Sequence, residues 1–434
     1  MGNLHLQMNR VVISIVMILA ATLYGCGSNL PEEDPGSDTP LAIPTNAPLN
    51  GSTLSSLTGD NVVALSINGS TCTDTSSPNK PCVSVKICAP TDLSNCQTLN
   101  DIILDTGSVG FRVFKSALIP SIASSLSPIQ ISGKTLAECI EYGDGYQFWG
   151  PIQKARMILG NEPSIEIPIH VFDSAFATPP DSCASPIETP AQAGYNGILG
   201  VGLFARDCGS VCETQRNNKL YYQCNGSGSG STCSGAAVKS LSQVSNPVAL
   251  LPQDNNGVIV QLPSVPLGGA PSIEGYLLLG IGTQPNNIPK NVTPYPTDAN
   301  GTFFVSFEGT DYAGIIDSAS NSLYLPNPSS ATLPDCKLAD ATFSGWFCPS
   351  SATNLSLITS GASGEAQSII PFQIGNFMEL SKSKNNVFSE LGGQSQPAGT
   401  EVLYLGLPFF FGRNVYVGID GTTSSLGKGP YWAY

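Results

Sequence analysis

Apolar and polar residues alternate along Cys82-Val83-Ser84-Val85-Lys86-Ile87-Cys88, the period of a strand with one face buried. Ile167-Pro168-Ile169-His170-Val171-Phe172 alternates in the same way. Further strand-like runs are Val62–Leu65, Gly257–Leu262, Tyr276–Gly280, Phe303–Phe307 and Asn414–Asp420, each bounded by turn-forming residues. Cys88 to Cys96 brackets a turn that leads into the apolar run ending at Asp105. Only Ser240–Leu251 reads as a helix, and no long amphipathic helix or heptad repeat occurs. Phe409-Phe410-Phe411 reads as core. Gly226–Thr232, between Cys224 and Cys233, reads as a surface loop. The pattern predicts an all-β chain with a few short helices.

Composition supports that reading. Gly (45) and Pro (34) are abundant and charged residues make up only 12% of 434, which favours turns and strands over helices. The length suits two domains, and 41% hydrophobic content argues against wholesale disorder. A net charge of −14 argues against nucleic acid as a partner.

The N-terminus carries an export pattern. Arg10 precedes an apolar stretch, Val11–Leu23, that is short for a membrane span and ends Leu23-Tyr24-Gly25-Cys26, which resembles the bacterial lipobox. The expectation is a signal peptide over 1–25, lipid attachment to a membrane at Cys26, and a flexible Pro-, Ser- and Asp-rich tether over 26–60. Gly27 after the Cys implies, by the same resemblance, the outer membrane of a Gram-negative cell envelope. Setting Cys26 aside from the 13 cysteines leaves an even set, which an oxidising compartment would pair. Nearest-neighbour pairing gives Cys72–Cys82, Cys88–Cys96, Cys139–Cys183, Cys208–Cys212, Cys224–Cys233 and Cys336–Cys348, although spacing alone leaves connectivity open. His170 is the only histidine beyond Cys26 and reads as structural, so neither a metal nor a cofactor is expected.

Two segments repeat one another. Ile102-Ile103-Leu104-Asp105-Thr106-Gly107-Ser108 and Gly314-Ile315-Ile316-Asp317-Ser318-Ala319-Ser320 each run from apolar residues through Asp to a hydroxyl residue, a small residue and Ser. Ile198-Leu199-Gly200 follows the first at nearly the distance at which Tyr404-Leu405-Gly406 follows the second. A lone Asp-Thr-Gly is usually a turn. Two matched pairs in the same order point to an internal duplication that brings two carboxylates together. Such a pair shares one proton, so one member can take a proton from water while the other protonates a carbonyl. Thr106 and Ser318 would tie the loops together, and Ser108 and Ser320 would hold the outer carboxylate oxygens.

From Val62 to Tyr434 these residues resemble the pepsin-like aspartic peptidases, and more closely an uncharacterised family of exported bacterial proteins with pepsin-like motifs. The resemblance implies a bilobal fold, with pseudo-symmetric β lobes over 61–245 and 246–434 and a central cleft. It makes Asp105 and Asp317 catalytic, supported by Thr106, Gly107, Ser108, Ser318, Ala319 and Ser320. Tyr142, Gly143, Asp144 and Gly145 resemble the tip of the flap hairpin, with Tyr142 pointing into the cleft and Cys139–Met157 forming the hairpin. Ala319 departs from the Gly of active members, and Arg112 stands where pepsins carry the Trp that supports the flap Tyr. The expected function is an envelope-anchored, monomeric endopeptidase acting on peptides or proteins. The alternative is an inactive pepsin-fold protein that binds peptide or another polymer.

Overall fold

A computed structural model describes residues 43–48, 54–73, 75–326, 328–395 and 402–434. The expected signal peptide, Cys26 and most of the tether lie outside the described residues. The fold is mostly β: one seventeen-stranded sheet, one of seven strands and a two-stranded ribbon, with a few short helices.

The larger sheet draws on both halves of the chain. Val62–Ile67 pairs with Ile273–Leu279, which pairs with Gly257–Gln261, and that strand pairs with Asn414–Gly418. These strands alternate or are wholly apolar because both faces are covered: Val63, Leu65, Val258, Val260, Leu277, Leu279, Val415 and Val417 all enter one core. The smaller sheet is assembled around Phe303–Phe307 and Thr310–Ile316, with Phe303, Val305 and Phe307 turned to the same core. The three phenylalanines 409–411 are buried there, as their sequence implies.

Two expectations need correction. Ser240–Leu251 is no α-helix; it forms two 3-10 turns, Ser240–Ser242 and Val248–Leu250. Tertiary bonds hold the intervening backbone extended: Val244 N donates to the Tyr221 hydroxyl at 2.7 Å and Asn246 Nδ2 to Gly202 O at 2.9 Å. The second concerns the tether. Residues 43–48 lie along the strand Gln367–Ile374, where Asn46 N donates to Ile369 O and Ile369 N to Pro44 O, both at 2.8 Å. Gln367–Ile374 pairs with Thr353–Ser360 on its other side, so its outer edge offers backbone groups for this segment to satisfy.

All six nearest-neighbour disulfides form, and they include the clip Cys224–Cys233 across the Gly/Ser loop. Alkylation of unreduced, denatured protein should therefore leave these twelve cysteines unlabelled, and a non-reducing digest should yield six linked pairs. Recovery of cross-linked peptides between different pairs would contradict this connectivity.

Candidate functional site

Each Asp loop is built by the same three-strand device. Asp105 ends the strand Asp92–Asp105, and Val109–Phe114 leaves the loop. Gly197–Val201 threads between them, parallel to the first with Gly200 opposite Asp105, and antiparallel to the second with Gly200 opposite Gly110. In the smaller sheet Val402–Leu405 threads between Thr310–Ile316 and Leu323–Leu325, again parallel to one and antiparallel to the other. The backbone amide of Asp317 donates to Leu405 O at 3.1 Å. The apolar-apolar-Gly motif follows from this threading. A Cβ on Gly200 would sit 2.7 Å from the Val109 backbone, and one on Gly406 would sit 2.0 Å from Ser322 O. Only glycine fits under either loop.

The two loops meet through reciprocal bonds. Thr106 N donates to Ser318 Oγ at 3.1 Å and Ser318 N to Thr106 Oγ1 at 2.9 Å. Thr106 Oγ1 donates on to Ile316 O at 3.0 Å and Ser318 Oγ to Leu104 O at 2.7 Å. Each hydroxyl thus accepts from one sheet's loop and donates to a carbonyl preceding that loop's Asp.

The carboxyls are held symmetrically. Asp105 Oδ1 accepts from the amides of Gly107 (2.8 Å) and Ser108 (3.1 Å), and its Oδ2 from the Ser108 hydroxyl. Asp317 Oδ1 accepts from Ala319 N at 2.9 Å and its Oδ2 from Ser320 Oγ at 2.6 Å. Both Asp side chains have no exposed surface, and they lie within hydrogen-bond reach of each other. Burial pushes Asp105 up to about 6, against the pull of Ser108, Asp317 and the loop amides. Burial, and then the Asp105 charge, pushes Asp317 well above the carboxylate range. Two buried carboxyls in contact cannot both ionise, so the pair keeps a proton.

Ala319, in place of the Gly of the family resemblance, brings no backbone strain. Its φ is not positive, its amide makes the bond that the Gly107 amide makes in the other loop, and its methyl joins an apolar cluster with Ile103, Tyr142 and Tyr195.

The hairpin forms as expected, from Lys134–Glu141 and Gln147–Ile158. Its tip closes through Tyr142 N to Tyr146 O (2.9 Å) and Gly145 N to Tyr142 O (2.8 Å), with Gly145 at φ 83°. Asp144 Oδ1 accepts from Tyr146 N at 2.8 Å, and burial pushes its carboxyl up to about 7. Tyr142 is buried, and burial pushes its hydroxyl pKa up against the opposing Arg112 charge; Asp105 also acts on it. The Tyr142 hydroxyl and Arg112 Nε each lack a hydrogen-bond partner.

Sequence reading did not anticipate what Arg112 does. Its guanidinium is fully buried between Glu138 of the hairpin (2.7 Å) and Asp207 (3.0 Å). His170 Nδ1 lies 3.1 Å from the other oxygen of Glu138, and Tyr221 donates to Asp207 at 2.7 Å. Burial opposes ionisation of Glu138, but Arg112 and then His170 outweigh it and hold it down to about 2. Burial, then Glu138, pushes Asp207 well up, and burial pushes His170 down. Both shifts favour the uncharged forms of Asp207 and His170 beside the buried Arg112–Glu138 ion pair. No spacing in the sequence links these five residues, which come from five separate segments.

The pair is enclosed. A cavity of about 550 Å³, lined by Leu355, Ile370, Phe372, Phe409 and Arg413, touches neither Asp. The void beside Ala319 measures about 10 Å³, room for at most one water.

Fold and site together define a mostly-β protein in which two sheets each contribute one carboxyl to a single buried pair. A family model described as "Protein of unknown function (DUF3443)" matches residues 58–434, and the chain belongs to that family. No curated protein matches it.

Asp105 binds its proton more tightly folded than unfolded. Its contribution to stability is complete below about pH 4, the unfolded value, and is lost as pH rises through about 6. Asp105→Asn, which never ionises, should exceed wild type in stability at pH 7.5 by on the order of 2–3 kcal/mol. The gap should close at pH 4, as read by denaturant melts. Thr106→Val keeps the shape but strips Ser318 N and Ile316 O of their partner. It should cost about 2–4 kcal/mol in the same melts at every pH.

Proposed function

We propose that the chain is a hydrolase of the aspartic-peptidase type, with two pseudo-symmetric β lobes that each supply one carboxyl. The observation that carries this reading is the pair itself: two repeated Asp loops, each underlain by a threaded glycine, bonded reciprocally through Thr106 and Ser318, with both carboxyls fully buried. In this reading the carboxyl with the higher affinity for the proton, Asp317, protonates the scissile carbonyl. Asp105 takes a proton from an attacking water, and the proton-sharing pair is restored when the amine leaves. Ser108, Ser320 and the loop amides keep both carboxyls aimed. Tyr142 and Asp144 of the hairpin cover the substrate. A single chain supplies both carboxyls, so no second copy is required.

The substrate class is peptide or protein, and the place of action is the cell envelope, with attachment through Cys26 to the outer membrane. Six disulfides support an oxidising compartment for this activity. The second reading, an inactive protein that holds a polymer, draws on the enclosure of both carboxyls.

The test is a peptide-library digest from pH 3 to 7 with wild type, Asp105→Asn and Ala319→Gly, with and without pepstatin. The peptidase reading expects pepstatin-sensitive cleavage that rises as pH passes up through about 6, where Asp105 gives up its proton while Asp317 keeps its own. Asp105→Asn should lose at least about a hundredfold. Ala319→Gly should stay within a few fold of wild type, because the alanine already makes the glycine's bond. Silence in wild type and Ala319→Gly, together with saturable peptide binding, would establish the second reading.

A further inference from the structure

The loop that joins Val62–Ile67 to Pro81–Ala89 carries a buried asparagine whose backbone N–H and side-chain amide all bond across the molecule. Asn79 N donates to Asn386 O at 2.8 Å. Its Nδ2 donates to Asn321 O at 2.8 Å and Phe388 O at 2.9 Å, and its Oδ1 accepts from Phe388 N at 2.7 Å. Asn321 directly follows Ser320 of the second Asp loop. Asn79 therefore bonds the segment that carries Asp317.

The same loop is fixed to the larger sheet at its base. Cys72–Cys82 staples it, Lys80 N donates to Asn68 Oδ1 at 2.9 Å, and Asn68 Nδ2 donates to Ser77 O at 2.7 Å. Lys80 Nζ pairs with Asp101 at 2.5 Å and donates to Gly194 O at 2.6 Å, next to Tyr195. One short loop thus grips both sides of the carboxyl pair. Pro78, Asn79, Lys80, Tyr195, Ala319 and Asn321 close around the void of about 10 Å³, which leaves no room for a peptide residue.

We propose that this disulfide-stapled loop is a clasp that shuts the carboxyl pair from solvent on the Ala319 side, and that access to the pair passes through release of Asn79 from Asn321 and Phe388. It rests on the carboxyl pair being a working site. A ligand that reaches the pair must select the released state, so binding and clasp opening are coupled. The bonds to Asn321 and Phe388 are confined to one side chain, and none of them belongs to a strand ladder, so their release needs no rupture of either sheet. The disulfide keeps the freed loop close enough to return.

The decisive variant is Asn79→Gly. Asn79 sits at φ 53°, where an alanine would add backbone strain of its own, whereas glycine keeps the turn and removes only the side-chain bonds. Wild type and variant, both full-length and disulfide-intact, are treated with a water-soluble carbodiimide and glycine ethyl ester. Labelling of individual carboxyls is then followed by mass spectrometry. Exposed Asp92 calibrates the reagent, and Asp254, buried away from the clasp, reports global opening. In wild type Asp105 and Asp317 should label far more slowly than Asp92. In Asn79→Gly their rate should rise by about tenfold or more while Asp254 is unchanged. Unchanged labelling of the pair, a parallel rise at Asp254, or fast labelling of the pair in wild type would each overturn the clasp. The readout needs no turnover. Faster labelling in a variant that cleaves nothing upholds the clasp against the peptidase reading, and cleavage with unchanged labelling does the reverse.

Discussion

The exchange of hydrogen bonds between Thr106 and Ser318 is the constraint on which the site depends. Each hydroxyl serves the amide of the opposite loop and a carbonyl that precedes the opposite Asp. The two sheets cannot separate at this point without stranding four buried polar groups. The exchange also sets the distance between the carboxyls. Proton sharing, the raised proton affinity of both groups and the fit of the glycines beneath them all follow from two loops locked face to face.

Around this lock the protein concentrates buried polarity. The Arg112 group ties the strand leaving the first Asp loop to the hairpin strand that carries Glu138 through a fully buried ion pair. An Arg here gives the hairpin a charged anchor, and removing either Arg112 or Glu138 alone would strand the other's charge in the core. Asn79 makes a second buried tie, with neutral bonds, between its loop and the segment that follows the second Asp.

Much of this architecture is legible in the chain. Alternation located the strands because a sheet with one buried face must alternate, and Phe303–Phe307 has the bounds its pattern implies. The duplicated Asp motifs and their trailing glycines marked the loops, since both depend on local backbone geometry. Most nearest-neighbour cysteines paired because they flank a short stretch of chain, whereas Cys139 of the hairpin meets Cys183 from a sequence separation of 44. Where reading failed, tertiary partners had overruled local preference: Tyr221 and Gly202 hold 244–246 extended, and a free sheet edge captures 43–48.

By itself the sequence determined the β character and the two repeated Asp loops. Each is encoded by short-range periodicity or by residues near one another in the chain. Only the tertiary structure decided that Arg112 pairs with Glu138 and lies against Asp207, that Ala319 sits without strain, and that Asn79 reaches across to Asn321 and Phe388. Those outcomes rest on contacts between segments tens to hundreds of residues apart. Their energies come from burial and hydrogen-bond satisfaction, which do not exist until the sheets have packed.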